Sequence, residues 1–338
     1  MTVEYASQKP QGYSNYLKKV AIVGIGSHIV EYLLKNGKHE VTAITRKDSP
    51  AAIPDGIKVA KVDYSEPSTL VEALRGQEAL IITLAVTAPQ NTQSKLIEAA
   101  ATAGVPWVIP NEWGSDPTQE DLANGTFLGP GRTAARKHIQ DLGKSKFIGT
   151  CCGFWYEFSL AGSEIRYGFA FDFQKPQGHR VTFYDDGNTK INTSTWPQVG
   201  RAIANLLALK VLPEDDEDRS PTLSRFKNET VYISSFSVSQ KDMFESVLRV
   251  TGGVADDWKI SYQPSIERYR EGVEALQKGD MRGFGQALYA RVFYQDGSGN
   301  YEARRALHNG VLGLPEEDLD EYTAVAVQLA KADFLNKE

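Results

Sequence analysis

Across residues 18 to 47 the spacing of apolar positions changes twice. Val20 to Val23 form a short, largely β-branched run, Gly24 and Gly26 interrupt it, and Ile29, Val30, Leu33 and Leu34 then recur at helical spacing. The pattern predicts a strand, a tight turn and a helix. Asn36 and Gly37 supply the helix stop, and Val41 to Thr45 predict a second strand that ends on Arg46 and Lys47.

The alternation continues downstream. Asp48 to Ile57, with Pro50, Pro54 and Gly56, reads as a loop, and Lys58 to Val62 as a third strand ending at Asp63 and Tyr64. Ser65 is the expected N-cap of a helix with Pro67 in its first turn, Leu70, Ala73 and Leu74 on its apolar face, and Gly76 at its stop. Ala79 to Ala85 is a continuous apolar run of the kind buried on both faces of a parallel sheet. A helix from Gln90 to Gly104, a fifth strand at Trp107 to Pro110, a cationic helix and a sixth strand before Phe154 follow. Strands alternating with helices in this order predict an α/β fold, a Rossmann-like doubly wound parallel sheet that binds ligands at the carboxyl ends of its strands.

Residues 156 to 338 read less regularly. Val181 to Thr193 suggests a hairpin around Asp186 and Gly187, and Val231 to Phe236 a strand. Helices are expected over 197–209, 239–249, 265–278, 281–293 and 318–332. Residues 1–16 read as a flexible N-terminal arm, 17–155 as the nucleotide-binding domain, and 156–338 mainly as a second domain from which later segments can return to the first.

Composition narrows the class without naming a function. The 338 residues are 41% hydrophobic and 24% charged, with a formal net charge of -6, so disorder and direct nucleic-acid binding are both disfavoured. No apolar run is long enough for a membrane span and no signal peptide is recognisable, which predicts a cytoplasmic protein. The two cysteines, Cys151 and Cys152, are adjacent in an apolar run and suit reduced thiols. No spacing of His, Cys, Asp and Glu suggests a metal site, and oligomeric state is not legible.

The glycines carry the first chemical reading. Gly24 and Gly26 let a helix N-terminus approach a pyrophosphate, whose charge the helix dipole favours. Where an acidic residue would hold the ribose of NAD, Arg46 and Lys47 stand, and cations there suit the 2′-phosphate of NADP. The usual three-glycine fingerprint is incomplete. Either Ile29 takes the third glycine's place, or Gly26 is the last glycine of a loop short by about four residues; the second register leads Gly26 straight into the apolar helix. A plain strand-to-helix turn that binds nothing is the alternative. The remaining cofactor candidates, Asp63, Tyr64, Ala85, Asn111 and Glu112, also fall at predicted strand ends.

With the strings VAIVG, GSHIVEYLLK, TAITRK, PNEWGSDP, GFWYEFSL and VTFYDDGNTKINTST in hand, the chain resembles the NmrA-like and isoflavone reductase-like group of atypical short-chain dehydrogenases, especially its fungal members, from about Lys18 to Ala330. The resemblance implies NADP(H), a smaller α+β C-terminal substrate domain, and NADPH-dependent reduction of an enone or carbonyl in a small aromatic or polyketide-like molecule. Asn111, Glu112 and Trp113 would flank the nicotinamide, and Trp113, Phe154, Trp155 and Tyr156 would meet the substrate. In the group's longer loop more amides face the pyrophosphate, so the short turn here is expected to weaken cofactor binding. Plant reductases of the group carry a catalytic lysine in the next helix; the matching place falls among Gly131, Arg132, Thr133 and Ala134, where no lysine stands. The Tyr-x-x-x-Lys pair is missing too, since Leu160 follows Tyr156 and Ser68 follows Tyr64 at that spacing. Tyr156 and Lys137 are the catalytic candidates that remain. A non-catalytic NAD(P)-sensing protein of the NmrA type, and a degenerate member with an impaired loop, stay open.

Overall fold

The computed structural model describes residues 4–24, 26–49, 53–89, 91–163, 168–173 and 179–332. Its first half alternates strands and helices: β1 (Lys19–Gly24), α1 (Ser27–Asn36), β2 (Glu40–Arg46), β3 (Lys58–Val62), α2 (Pro67–Leu74) and β4 (Ala79–Thr83). It continues through α3 (Thr92–Ala103), β5 (Trp107–Ile109), α4 (Glu120–Gly125), α5 (Gly129–Leu142) and β6 (Lys146–Cys151). After β7 (Phe154–Trp155), α6 (Tyr156–Leu160), β8 (Phe171–Asp172), β9 (His179–Tyr184), β10 (Ile191–Ser194) and α7 (Trp196–Leu207), the chain returns to the central sheet as β11 (Glu229–Tyr232). It closes with β12 (Phe236–Val238), α8 (Gln240–Thr251), β13 (Trp258–Gln263), α9 (Ser265–Gln277), α10 (Arg282–Val292) and α11 (Leu319–Lys331).

The central sheet has seven parallel strands in the order β11-β6-β5-β4-β1-β2-β3. Alternation along β4 explains why both faces are covered. Ala79 and Ile81 join the core beneath α1 and α7, whereas Leu80 and Ile82 join the core beneath α2, α3 and α5. All four are fully buried, and each large side chain contributes roughly 1.5–3 kcal/mol. A third core fills the smaller C-terminal layer, where Tyr156, Phe169, Phe171, Phe183, Phe244 and Phe293 pack around two three-stranded sheets.

Several local expectations change. The Asp186–Gly187 turn forms, with the Gly187 N–H donating to the Tyr184 carbonyl at 2.8 Å, but its flanking strands do not pair. β9 takes β13 and β8 as neighbours, and β10 takes β12 and β7. Burial decides this: all four residues of β10 are inaccessible, and only a sheet partner on each side satisfies them. The apolar run at 231–236 splits for the same reason, with its start in the central sheet and its end in a smaller one. Glu66 rather than Ser65 caps α2; the Ser65 hydroxyl instead donates to Asp63. At the N-terminus, the Ala6 and Ser7 N–H groups donate to the carbonyls of Pro213 and Glu214, and the Val211 N–H donates to Asn15.

Candidate cofactor and substrate site

The first turn of the sheet lies flat on its neighbour. Gly24 has φ +99°, and a Cβ there would stand 2.1 Å from the Thr83 carbonyl oxygen; at Gly26 a Cβ would meet Ile22 Cδ1 at 2.6 Å. Only glycine fits at Gly24, and at Gly26 any side chain would first have to displace the Ile22 side chain. The Thr83 hydroxyl donates to the Val23 carbonyl at 2.9 Å, which ties β4 to this turn. Gly26 is the N-cap of α1 and accepts the Val30 N–H, so the helix begins at once, in the register that makes Gly26 the last glycine. Ile25 lies outside the described residues. No side chain caps α1, which leaves its first-turn N–H groups available to an anion.

The two predicted cations behave differently. Lys47 is held by Asp63 at 2.5 Å, and that salt bridge, followed by bonds from the Ser65 hydroxyl and N–H, keeps the Asp63 carboxyl well below its usual range. Arg46 stays exposed at the end of β2, and among the described residues its guanidinium has Asp48 as its ion-pair partner, at 4.0 Å. Tyr64 is half-buried against the core, and its carbonyl accepts the Lys95 ammonium at 2.8 Å. Asn111 fixes the segment leading to Ala85, accepting the Leu84 N–H at 3.0 Å and donating to the Leu84 carbonyl at 3.1 Å.

Beyond Asn111 the turn is bound at nearly every residue. Glu112 is buried, and its two oxygens accept the Arg136 Nε at 2.9 Å, while Arg136 also reaches Thr230 on β11 at 3.0 Å. The Trp113 indole donates to the Ile82 carbonyl at 2.9 Å. Asp116 accepts from Thr118, Tyr232 and Arg305. Burial alone would raise its carboxyl; the Thr118 bonds and the Arg305 guanidinium outweigh that and hold it below the ordinary range. Glu112 and Asp116 are therefore buried anchors of this turn.

The aromatic candidates divide. Phe154 and Trp155 are half-buried, with Phe154 stacked on Tyr289 at 4.1 Å between ring centres. Tyr156 points into the smaller layer's core, where its hydroxyl meets Thr323 at 2.6 Å and burial pushes its pKa up. Lys137 lies on the exposed face of α5, paired with Asp141 at 2.6 Å. Neither Tyr156 nor Lys137 is brought to the rim with Gly26, Arg46 and Asn111. Arg132, also on α5, is buried, and its Nη1 donates to the Ser115 carbonyl at 3.1 Å and hydroxyl at 3.4 Å. Burial pushes the Cys152 thiol up to about 12, which makes it inert.

One further group had no signal in the sequence. Glu157 is buried directly after Tyr156, accepts the Trp196 N–H at 3.1 Å, and has its carboxyl pushed up to about 7 by burial. The Trp196 ring stacks on His28, in the first turn of α1, at 5.4 Å. Asp116 stood inside the quoted PNEWGSD, but Tyr232 and Arg305 join it only through the fold.

A glycine turn, an uncapped helix and an exposed arginine lie along one carboxyl edge, an arrangement that suits a dinucleotide. Comparison with known proteins agrees: residues 23–145 match the family model described as NAD(P)H-binding. The oxidoreductase aprR of Aspergillus flavus is 27% identical over 313 residues, spanning 90% of this chain and 97% of the relative. The chain is also similar to the crystal structure of isoflavone reductase, with TM-score 0.67, 21% identity, and 91% and 98% of the two chains covered. AtPrR2 with NADP+ and (+)-pinoresinol gives 0.69 at 16% identity, covering 93% and 100%. The fold is thus the one these reductase structures share, in keeping with the resemblance read from the sequence motifs, and its first half carries the NAD(P)H-binding match. Among the described residues no helix is long and apolar enough to cross a membrane.

Proposed function

We propose that the protein uses NADPH to reduce an enone or carbonyl in a small aromatic or polyketide-like molecule. The observation that carries the cofactor choice is Arg46. It stands at the end of β2 with its guanidinium exposed and loosely paired, while its neighbour Lys47 is neutralised by Asp63. An available cation at that place favours a 2′-phosphate over a bare ribose. The residues present fit the cofactor along the rest of the edge. The first-turn N–H groups of α1 would face the pyrophosphate, and the backbone at 84–85, braced by Asn111, would border the nicotinamide half. When bound, the cofactor supplies a hydride. The protein's part is to hold it and to present an aromatic substrate against Trp113, Phe154 and Trp155, the half-buried rings next to that edge.

The short turn between Gly24 and α1 limits how many amides reach the phosphates, so binding is expected in the weak range for the group. Titration with NADPH and NADH, read by energy transfer from tryptophan, tests the reading. NADPH should bind more tightly, and Arg46→Ala should weaken NADPH about tenfold while leaving NADH nearly unchanged, since one charge-assisted bond contributes about 1.5–3 kcal/mol. Equal losses for both nucleotides would remove the basis for NADPH. Binding without oxidation across a panel of aromatic enones and ketones would overturn the reductase reading in favour of a sensor.

A further inference from the structure

A second charged feature lies beside the substrate rings, and the reading above does not use it. Arg132 is 5% exposed, and no carboxylate lies within ion-pair distance of it among the described residues. The nearest acid in the chemistry of this turn, Glu112, is already occupied by Arg136 through both oxygens. Of the five N–H donors of the Arg132 guanidinium, those on Nη1 are engaged, by Ser115. Its Nη2 lies over Gly114, where a Cβ would stand only 2.6 Å away, so the missing side chain leaves that nitrogen room.

The guanidinium borders a cavity of about 30 Å³ that it shares with Phe154, Asn192, Leu288 and Tyr301. The other polar side chains there are spoken for. Asn192 is bonded to Ser234 and Glu302, and the Tyr301 hydroxyl donates to the Ile233 carbonyl. Arg132 is thus the group in this wall that lacks its complement. A buried guanidinium with no carboxylate in direct contact, and with Glu112 acting on it only from beyond ion-pair distance, carries a desolvation cost that an arriving anion would partly recover. The volume matches about one or two waters, enough for the oxygens of one carboxylate and too little for a ring.

We infer that Arg132 and this cavity form a subsite for an anionic oxygen carried on an aromatic ring, with the carboxylate or phenolate entering the cavity and the ring remaining against Phe154 and Trp113. The substrate class is therefore an aryl acid or acidic phenol. This inference rests on the proposal that the cleft beside these rings holds the substrate. It assigns Arg132 a binding role and requires no proton from it, consistent with a group that stays charged at neutral pH.

Benzoate and its neutral isostere benzamide, titrated without nucleotide and followed by tryptophan fluorescence and calorimetry, make the test. The wild-type protein should bind benzoate at least tenfold more tightly than benzamide. Arg132→Met should abolish that preference without lowering the melting temperature, because it removes a buried charge that has no carboxylate in direct contact. Arg132→Lys keeps the charge, guards against a failure of the methionine variant to fold, and should retain part of the preference. Equal affinities in the wild type, or a preference that survives Arg132→Met, would overturn the subsite. A lowered melting temperature together with unchanged benzoate binding would make Arg132 a brace for Ser115 and overturn it as well. NADPH titration of the same samples separates the two readings: Arg132→Met should leave the NADPH Kd unchanged, and absent NADPH binding would count against the reductase alone.

Discussion

Two turns cap the same edge of the central sheet, and they are built in opposite ways. The turn through 111–116 is held by side chains at nearly every position: Asn111 to Leu84, Glu112 to Arg136, Trp113 to Ile82, Asp116 to Thr118, Tyr232 and Arg305. Gly24 and Gly26 bring no side chains to theirs and are seated by close packing on Thr83. The contrast shows where each turn keeps its unmet polar groups. In the bare turn they are backbone N–H groups at the start of α1, which suit a phosphate. In the braced turn almost everything is satisfied, and Arg132 stands out because its neighbours are.

Removing a brace should have the largest effect. Glu112→Ala leaves Arg136 beneath the sheet without its partner and should cost about 3–5 kcal/mol in urea unfolding; a loss under ~1 kcal/mol would mean the turn is not anchored there. Next comes Glu157, which joins the aromatic turn to Trp196. Its carboxyl is raised by burial to about 7, above the unfolded carboxylate value, so its contribution is intact at low pH and is lost as pH rises toward and through 7. Glu157→Gln should therefore stabilise the protein at pH 8 by on the order of 3 kcal/mol while changing little at pH 4, and a pH-independent effect would contradict the raised pKa.

A smaller change is expected at the bare turn. Inserting four residues between Gly24 and Gly26 should tighten NADPH by about ten- to a hundredfold if two or so charge-assisted amide contacts are regained, and isothermal calorimetry would read it directly. Unchanged affinity would show that the helix end alone sets binding. Least of all, Thr83→Val removes one hydroxyl bond to Val23 and should cost about 1 kcal/mol of stability, measurable by the same urea titration.

Much of the central sheet was legible because parallel strands buried on both faces leave continuous apolar runs. Ala79 to Ile82 and Val20 to Val23 are such runs, and Gly37, Gly104 and Gly252 stop their helices in the left-handed conformation that glycine favours. The smaller layer was less legible because its partners are chosen at long range. Nothing between Val181 and Thr193 says that β9 and β10 belong to different sheets. The site divides in the same way. Arg46 was visible from its place after a strand, whereas the loneliness of Arg132 depends on Glu112 being taken by Arg136, a choice that only packing reveals. Tyr156 looked available as an aromatic in a turn, yet the first turn of α6 rotates it into the core against Thr323.

The late return of β11 has a consequence for synthesis on the ribosome. β6 ends at Cys151, but the strand that covers its outer edge begins only at Glu229, roughly 80 residues later. At about 5–20 residues per second, that edge waits on the order of 4–16 s for its neighbour, with Arg136 lacking its Thr230 contact throughout. The nascent chain thus passes through an interval in which a nearly finished sheet offers an open border to other chains, and crowding or slow translation in this window would penalise yield before the completed fold is ever tested.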